Sequence, residues 1–164
     1  MLILGIDPGT ATTGYGVIKV NKKKFELLEF GLIETDKNSS PAKRLADIYQ
    51  QMNSVIRQFK PDIVAIEKLF FATNAKTVMR VGQAQGVMLL SAARAKAEIY
   101  EYAPKTIKKV LTGNGNADKK TVQKHVRKIL GSKVRSRKKQ KTHFDNSADA
   151  LAVAICHVIK SEGG

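Results

Sequence analysis

The chain has 164 residues, 43% of them apolar, enough for one domain with a real core. No run approaches the roughly 18 uninterrupted apolar residues of a membrane span, and the single cysteine excludes an internal disulfide. The 29 Lys and Arg against 14 Asp and Glu give a net charge of +15, which points to a polyanionic partner rather than a neutral or cationic one.

"LILGID" (2–7) is a short apolar run closed by an acid and a Pro-Gly turn, and it predicts a buried strand. "GYGVIKV" (14–20) and "FELLEFGLIET" (25–35) follow across short breaks, "NKKK" being the second, and complete an antiparallel meander. Pro41 opens a helix in which Leu45, Ile48, Met52, Val55, Ile56 and Phe59 form one apolar face. "KPD" ends it, and "IVAIE" (63–67) predicts a central strand covered on both sides. A long helix rich in small residues is expected over 75–97, a strand over 98–103 and a short helix over 107–111. A basic helix is expected over 119–130, a mobile loop over 131–143 and a last, almost wholly apolar helix over 145–160. A meander followed by alternating strands and helices implies an α/β fold, a mixed five-stranded sheet with helices on both faces. No repeat and no second domain are visible.

Fourteen of the basic residues but only one acid, Asp118, lie between Lys105 and Lys141. "SKVRSRKKQK" lacks the large apolar residues that a membrane-surface helix would insert, so nucleic acid is the expected partner and a membrane is not. Cys156 is expected to be a buried thiol, and "MLILGIDPG" has no basic stretch of the kind that opens a secretory leader. Both suit a cytoplasmic setting.

Asp7 and Glu67 each end a predicted strand, and Asp145, Asn146 and Asp149 open the last helix. Residues three or four apart on a helix share a face, so Asp149 can project with either Asn146 or Asp145. Each acid also has a plain alternative: Asp7 as a turn former, Glu67 as a strand-end charge, Asn146 with Asp149 as a helix cap. A single site explains all three positions at once. Clustered carboxylates repel unless they hold cations, and hard oxygen donors suit Mg²⁺ or Mn²⁺. One Cys and three scattered His make no zinc pattern. A carboxylate–metal site beside a basic block points to phosphoryl transfer on a nucleic acid.

The motifs "ILGIDPGTATTGYGVI", "AIEKLFFATN", "GQAQGV", "YEYAPKTIKK" and "ADALAVAICH" closely resemble those of the RuvC family, bacterial Holliday junction resolvases, from residue 2 to about 159. The resemblance implies an RNase H-like fold, with 1–160 as one nuclease domain and 161–164 as a tail. It implies a homodimer that makes symmetric nicks in four-way junction DNA. The implied cofactor is Mg²⁺, two ions per site, with Mn²⁺ able to substitute, and the implied protein partner is the RuvA–RuvB branch-migration complex. The family's catalytic and metal-binding acids fall on Asp7, Glu67, position 146 and Asp149. Its DNA-handling lysines fall on Lys108 and Lys119, with Lys120 beside the latter. Its base-stacking aromatic falls on Phe70, with Phe71 as neighbour; the plain alternative for either ring is the core.

The sequence departs from the family at Asn146, where most members carry an acid and some a His. Either Asp145 takes over, or the site is natural but weakened, or the Asn is an engineered replacement that leaves the enzyme inactive; the pattern favours the last. Two rival functions stand beside the resolvase: a non-catalytic basic DNA-binding protein, which leaves the acids unexplained, and a fragment of an actin-like phosphotransferase, which needs two domains where this length supplies one.

Overall fold

The computed structural model describes residues 1–69, 74–131 and 138–163, with the backbone alone over 138–146. In chain order the elements are β1 (Leu2–Asp7), β2 (Thr12–Asn21), β3 (Lys24–Glu34), α1 (Pro41–Phe59), β4 (Ile63–Glu67), α2 (Ala75–Arg94), β5 (Glu98–Tyr102), α3 (Pro104–Thr112), α4 (Lys119–Leu130) and α5 (Lys138–Glu162). The strands form one sheet in the order β3-β2-β1-β4-β5. The meander β1-β2-β3 is antiparallel, while β4 lies parallel to both β1 and β5. This is the expected mixed five-stranded sheet with helices on both faces.

Alternation along β1 and β4 builds two cores. Leu4, Ile6, Val64 and Ile66 face α1 and α2, packing with Ile48, Met52 and Met88. Ile3, Ile63 and Ala65 face the other way, against α3, α4 and α5. A side-chain period of two then assigns Asp7 and Glu67 to that second face as well. Both strands are buried through their middle and come to the surface at these terminal acids. Cys156 is fully buried, as expected, and burial pushes its thiol up to about 11.

Helix α5 lies directly on the sheet because two paired glycines leave room for it. Gly5 of β1 sits opposite Gly16 of β2. A Cβ on Gly5 would run into the Ala150 carbonyl oxygen and come within 2.9 Å of the Ala154 Cβ; one on Gly16 would run into the Leu151 side chain. Gly5→Ala should therefore destabilise the fold by about 3 kcal/mol, the upper end for overpacking a close helix–sheet contact. A urea melt measures it; a shift of a few tenths of a kcal/mol would mean that α5 can lift off the sheet at little cost.

Three helices have bounds that differ from the sequence reading by more than a residue. Helix α2 stops at Arg94 rather than 97, through a left-handed Lys96. There the Lys96 and Ala97 N–H groups return to the Ala93 and Ala92 carbonyls. This is the bonding of a helix stop that usually carries glycine. Helix α3 begins at Pro104, three residues early, with the proline in the first turn. Helix α5 begins at Lys138, not 145, and runs to Glu162 rather than 160. Lys, Gln and His are all compatible with a helix, and no proline or glycine in 138–144 breaks it. Of the loop expected over 131–143, the part from 132 to 137 lies outside the described residues.

Candidate active site

Asp7 and Glu67 meet because β1 and β4 are parallel neighbours in register, Ile6 pairing with Ile66. Both strands end at the same edge of the sheet with an acid. Helix α5 crosses that edge and adds Asp149. The three acids line a cleft of about 270 Å³ together with Lys108 of α3 and Lys119 of α4. Pro104, Ile107, Val122 and Ala152 complete the wall. These four were not singled out in the sequence; as small or apolar residues within amphipathic helices they carry no chemical signal of their own.

The electrostatics are those of an undercompensated acid cluster. Burial pushes the Asp7 carboxyl up to about 6, and the charge of Asp149 adds to the rise while Lys119 opposes it. Burial also pushes Glu67 up to about 7, helped by Asp7 and Asp149 and opposed by Lys108. Lys119 Nζ lies 3.4 Å from Asp149 Oδ2. Among the described residues, no three His, Cys, Asp or Glu side chains are gathered as a ready-made ion cage.

Lys119 is placed by its helix cap. Asp118 Oδ1 accepts the Thr121 N–H at 2.7 Å, fixing the start of α4 one residue before Lys119. That hydrogen bond holds the Asp118 carboxyl below its usual range. A cation in the first turn is disfavoured by the helix dipole, and here the capping carboxylate and Asp149 both offset it. Lys120 is exposed and does not line the cleft. Phe70 and Phe71 lie outside the described residues. Position 146 lies eight residues inside α5, so the sequence reading of Asn146 as a helix cap is corrected: its backbone belongs to the helix interior.

A sequence model of "Crossover junction endodeoxyribonuclease RuvC" matches residues 3–157. The protein of that name from Caldicellulosiruptor saccharolyticus is 43% identical over 162 residues, covering 98% of this chain and 94% of its own. That from Natranaerobius thermophilus is 46% identical over 158 residues, covering 96% and 94%. Among solved structures, Thermus thermophilus RuvC superposes with a TM-score of 0.86 at 34% identity, covering all of this chain and 97% of its own. The same protein in complex with a Holliday junction substrate superposes equally well, with 0.86 at 32% identity and the same coverage. The sheet order, the strand-end acids and matches over nearly the full length of both partners agree: the fold is RNase H-like, and the chain belongs to the RuvC family of crossover junction endodeoxyribonucleases.

Proposed function

We propose that the chain is a Holliday junction resolvase, a metal-dependent endonuclease that nicks four-way DNA junctions in recombination and repair. One observation carries this reading: Asp7, Glu67 and Asp149, from two strand ends and a crossing helix, line one cleft with Lys108 and Lys119 in a chain of this family. A purely DNA-binding role would leave two half-buried carboxylates with raised pKa values and no purpose.

The donor set fits a hard divalent cation. All three described acids offer oxygen, and burial with mutual repulsion leaves Asp7 and Glu67 short of positive charge. Asp7, Glu67 and Asp149 would hold the metal, with position 146 or 145 completing the set. Mg²⁺, two ions per site, with Mn²⁺ as a substitute, is the finer reading. Such ions, when bound, lower the pKa of a water and stabilise charge on a phosphate's oxygens. The protein's own part is to position. Gly5 and Gly16 let α5 approach until Asp149 shares the cleft with the strand ends. Lys108 and Lys119 place two ammonium groups in the same cleft, suited to the phosphates that flank the cut. Phe70, or Phe71, would stack on an unpaired base.

Helical spacing favours position 146 over 145 as the fourth ligand position. Position 146 is three residues from Asp149 and four from Ala150, whose carbonyl abuts Gly5 on the strand that ends in Asp7. Along a helix, position 145 is four residues from Asp149 but five from Ala150.

The homodimer is also part of this proposal, and α2 supports it. Met79 is 67% exposed and Leu90 52%, and they lie on one stripe with Gly82 and Gly86. A Cβ on Gly86 would meet nothing within 4 Å. A two-fold pair of clefts suits two symmetric cuts. Leu90→Asp should weaken self-association on the order of 10²-fold, seen by analytical ultracentrifugation. An unchanged dimer would put the interface elsewhere. The RuvA–RuvB complex as partner and the bacterial cytoplasm as location rest on family membership. Among the described residues no helix is long and apolar enough to cross a membrane.

The test of the function is Mg²⁺-dependent nicking of a synthetic four-way junction, run with Asn and with Asp at position 146. Tight junction binding with no nicking by either form would favour the non-catalytic reading.

A further inference from the structure

On the sheet face opposite the carboxylates, a second cleft of about 430 Å³ opens between the early turns of α1 and α2. Lys37 and Ser39 enter it from the β3–α1 connection, Arg44 from α1, Lys76 and Arg80 from α2, and Thr10 from the β1–β2 turn. Four cations share the cleft, and among the described residues no Asp or Glu lines it. None of the four pairs with a carboxylate among the described residues. The nearest acids in sequence are engaged elsewhere: Asp36 accepts the Asn38 N–H at 2.8 Å, and Asp47 pairs with Lys43 at 3.4 Å.

The cleft is also coupled to the turn that follows Asp7. Arg44 Nε donates to Thr35 Oγ1 at 3.0 Å, and that hydroxyl donates to the Thr10 carbonyl at 2.6 Å. One edge of the guanidinium is thereby anchored, which orients the rest. Thr10 is three residues beyond Asp7, so the two backbones are at most about 11 Å apart. Phosphates along one DNA strand rise by roughly 3.4 Å each along the axis but are about 7 Å apart through space, so that span is at most about two nucleotides. Four unpaired cations repel one another unless a polyanion neutralises them. An oriented arginine beside flexible lysines and hydroxyls is the donor set that phosphodiesters take.

We propose that this cleft is a second DNA-backbone seat, holding phosphodiesters of a junction arm a nucleotide or two from the cutting cleft, on the far side of the β1 end. It rests on the nuclease reading and extends it, giving each protomer two phosphate-binding surfaces separated by the edge of the sheet. Such a seat fixes the angle at which an arm leaves the cut, since DNA held on both sides of one edge must turn around it.

The test is a salt series of junction binding by the full chain. The double variant Lys76→Gln/Arg80→Gln changes two of the four cations and keeps good helix formers in α2. The control, Lys19→Gln/Lys24→Gln, removes the same charge from exposed positions at the far end of the sheet. The slope of log K against log salt should flatten by about two units in the cleft variant and stay unchanged in the control. Equal flattening in both variants, or none in the cleft variant while the parent binds normally, overturns the seat and leaves the nuclease reading intact. A parent that does not bind junctions overturns the reading and the seat with it. A fourth arm adds inorganic phosphate at fixed ionic strength. If phosphate raises the melting temperature of the parent but not of the cleft variant, while the DNA slopes are equal, the cleft holds a small free anion and the DNA seat is wrong.

Discussion

Asp7→Asn should make the protein more stable at pH 8 while abolishing most of its cutting. The stability half follows from linkage. Asp7 titrates at about 6 in the folded chain against 3.8 as a free side chain. The folded state therefore binds the proton more tightly than the unfolded state, and stability falls as pH rises between about 4 and 6. Below pH 4 both states are protonated and no penalty exists; above pH 6 the penalty is complete. Two units at 1.36 kcal/mol each give an upper value of about 3 kcal/mol, and the amide recovers on the order of 2 kcal/mol of it. Urea melts of parent and variant should thus differ at pH 8 and converge at pH 4. The cutting half follows from the donor set. Losing one ligand carboxylate removes several kcal/mol of transition-state stabilisation, roughly 10³-fold in rate. Mg²⁺ should also raise the parent's melting temperature at pH 8 more than the variant's. Junction affinity should be unchanged or slightly better, because a negative charge has left the phosphate's path. A variant less stable than the parent at pH 8 would show that Asp7 is held by favourable contacts rather than strained by burial.

The same shifts set the pH response of the parent. With Asp7 at about 6 and Glu67 at about 7, both carboxylates are ionised and free to ligate only above neutrality. Cutting should climb through pH 6–7, and higher divalent cation should move the rise to lower pH, because metal and proton compete for the same oxygens.

The candidate site was legible in the sequence where a single element announced it. Asp7 and Glu67 stand at the ends of continuous apolar runs, and such runs are buried parallel strands whose last residue reaches the edge of the sheet. Pairing between elements was not legible. Lys119 stood out only through the family resemblance; the ion pair with Asp149 exists because α4 and α5 are neighbours, which no spacing along the chain reveals. The stop at Lys96 was missed because the residue in the left-handed position is not glycine. The start of α5 was missed because a basic, polar segment looks the same to periodicity whether it is a loop or an exposed helical turn. The second basic cleft was missed for a different reason. Lys37, Arg44, Lys76 and Arg80 come from three segments that each mix bases with acids or neutral residues, so the charge profile showed one basic block where the fold makes two basic surfaces.

Asn146→Asp should raise metal-dependent junction cutting roughly 10²-fold, with junction affinity changed by less than about threefold. The amide keeps the shape of aspartate and one carbonyl oxygen but neither the charge that draws a divalent ion nor a site for a proton. Position 146 is inside α5, where neither residue acts as a cap, and the helix propensities of Asn and Asp are close. The exchange should therefore leave the fold intact. Its mark on stability should be electrostatic instead. On the proposed ligand set, a carboxylate at 146 adds repulsion with Asp7 and Asp149 at pH 8 without divalent ions, and Mg²⁺ should remove that deficit. Cutting rate and melting temperature should then rise together with Mg²⁺ in the variant and only weakly in the parent. The competing register is tested by Asp145→Asn. If the parent, with Asn146, already cuts as fast as the Asn146→Asp variant, and Asp145→Asn abolishes cutting, then Asp145 supplies the ligand. In that case α5 presents to Asp7 the face that pairs positions 145 and 149, rather than the one that pairs 146 and 149.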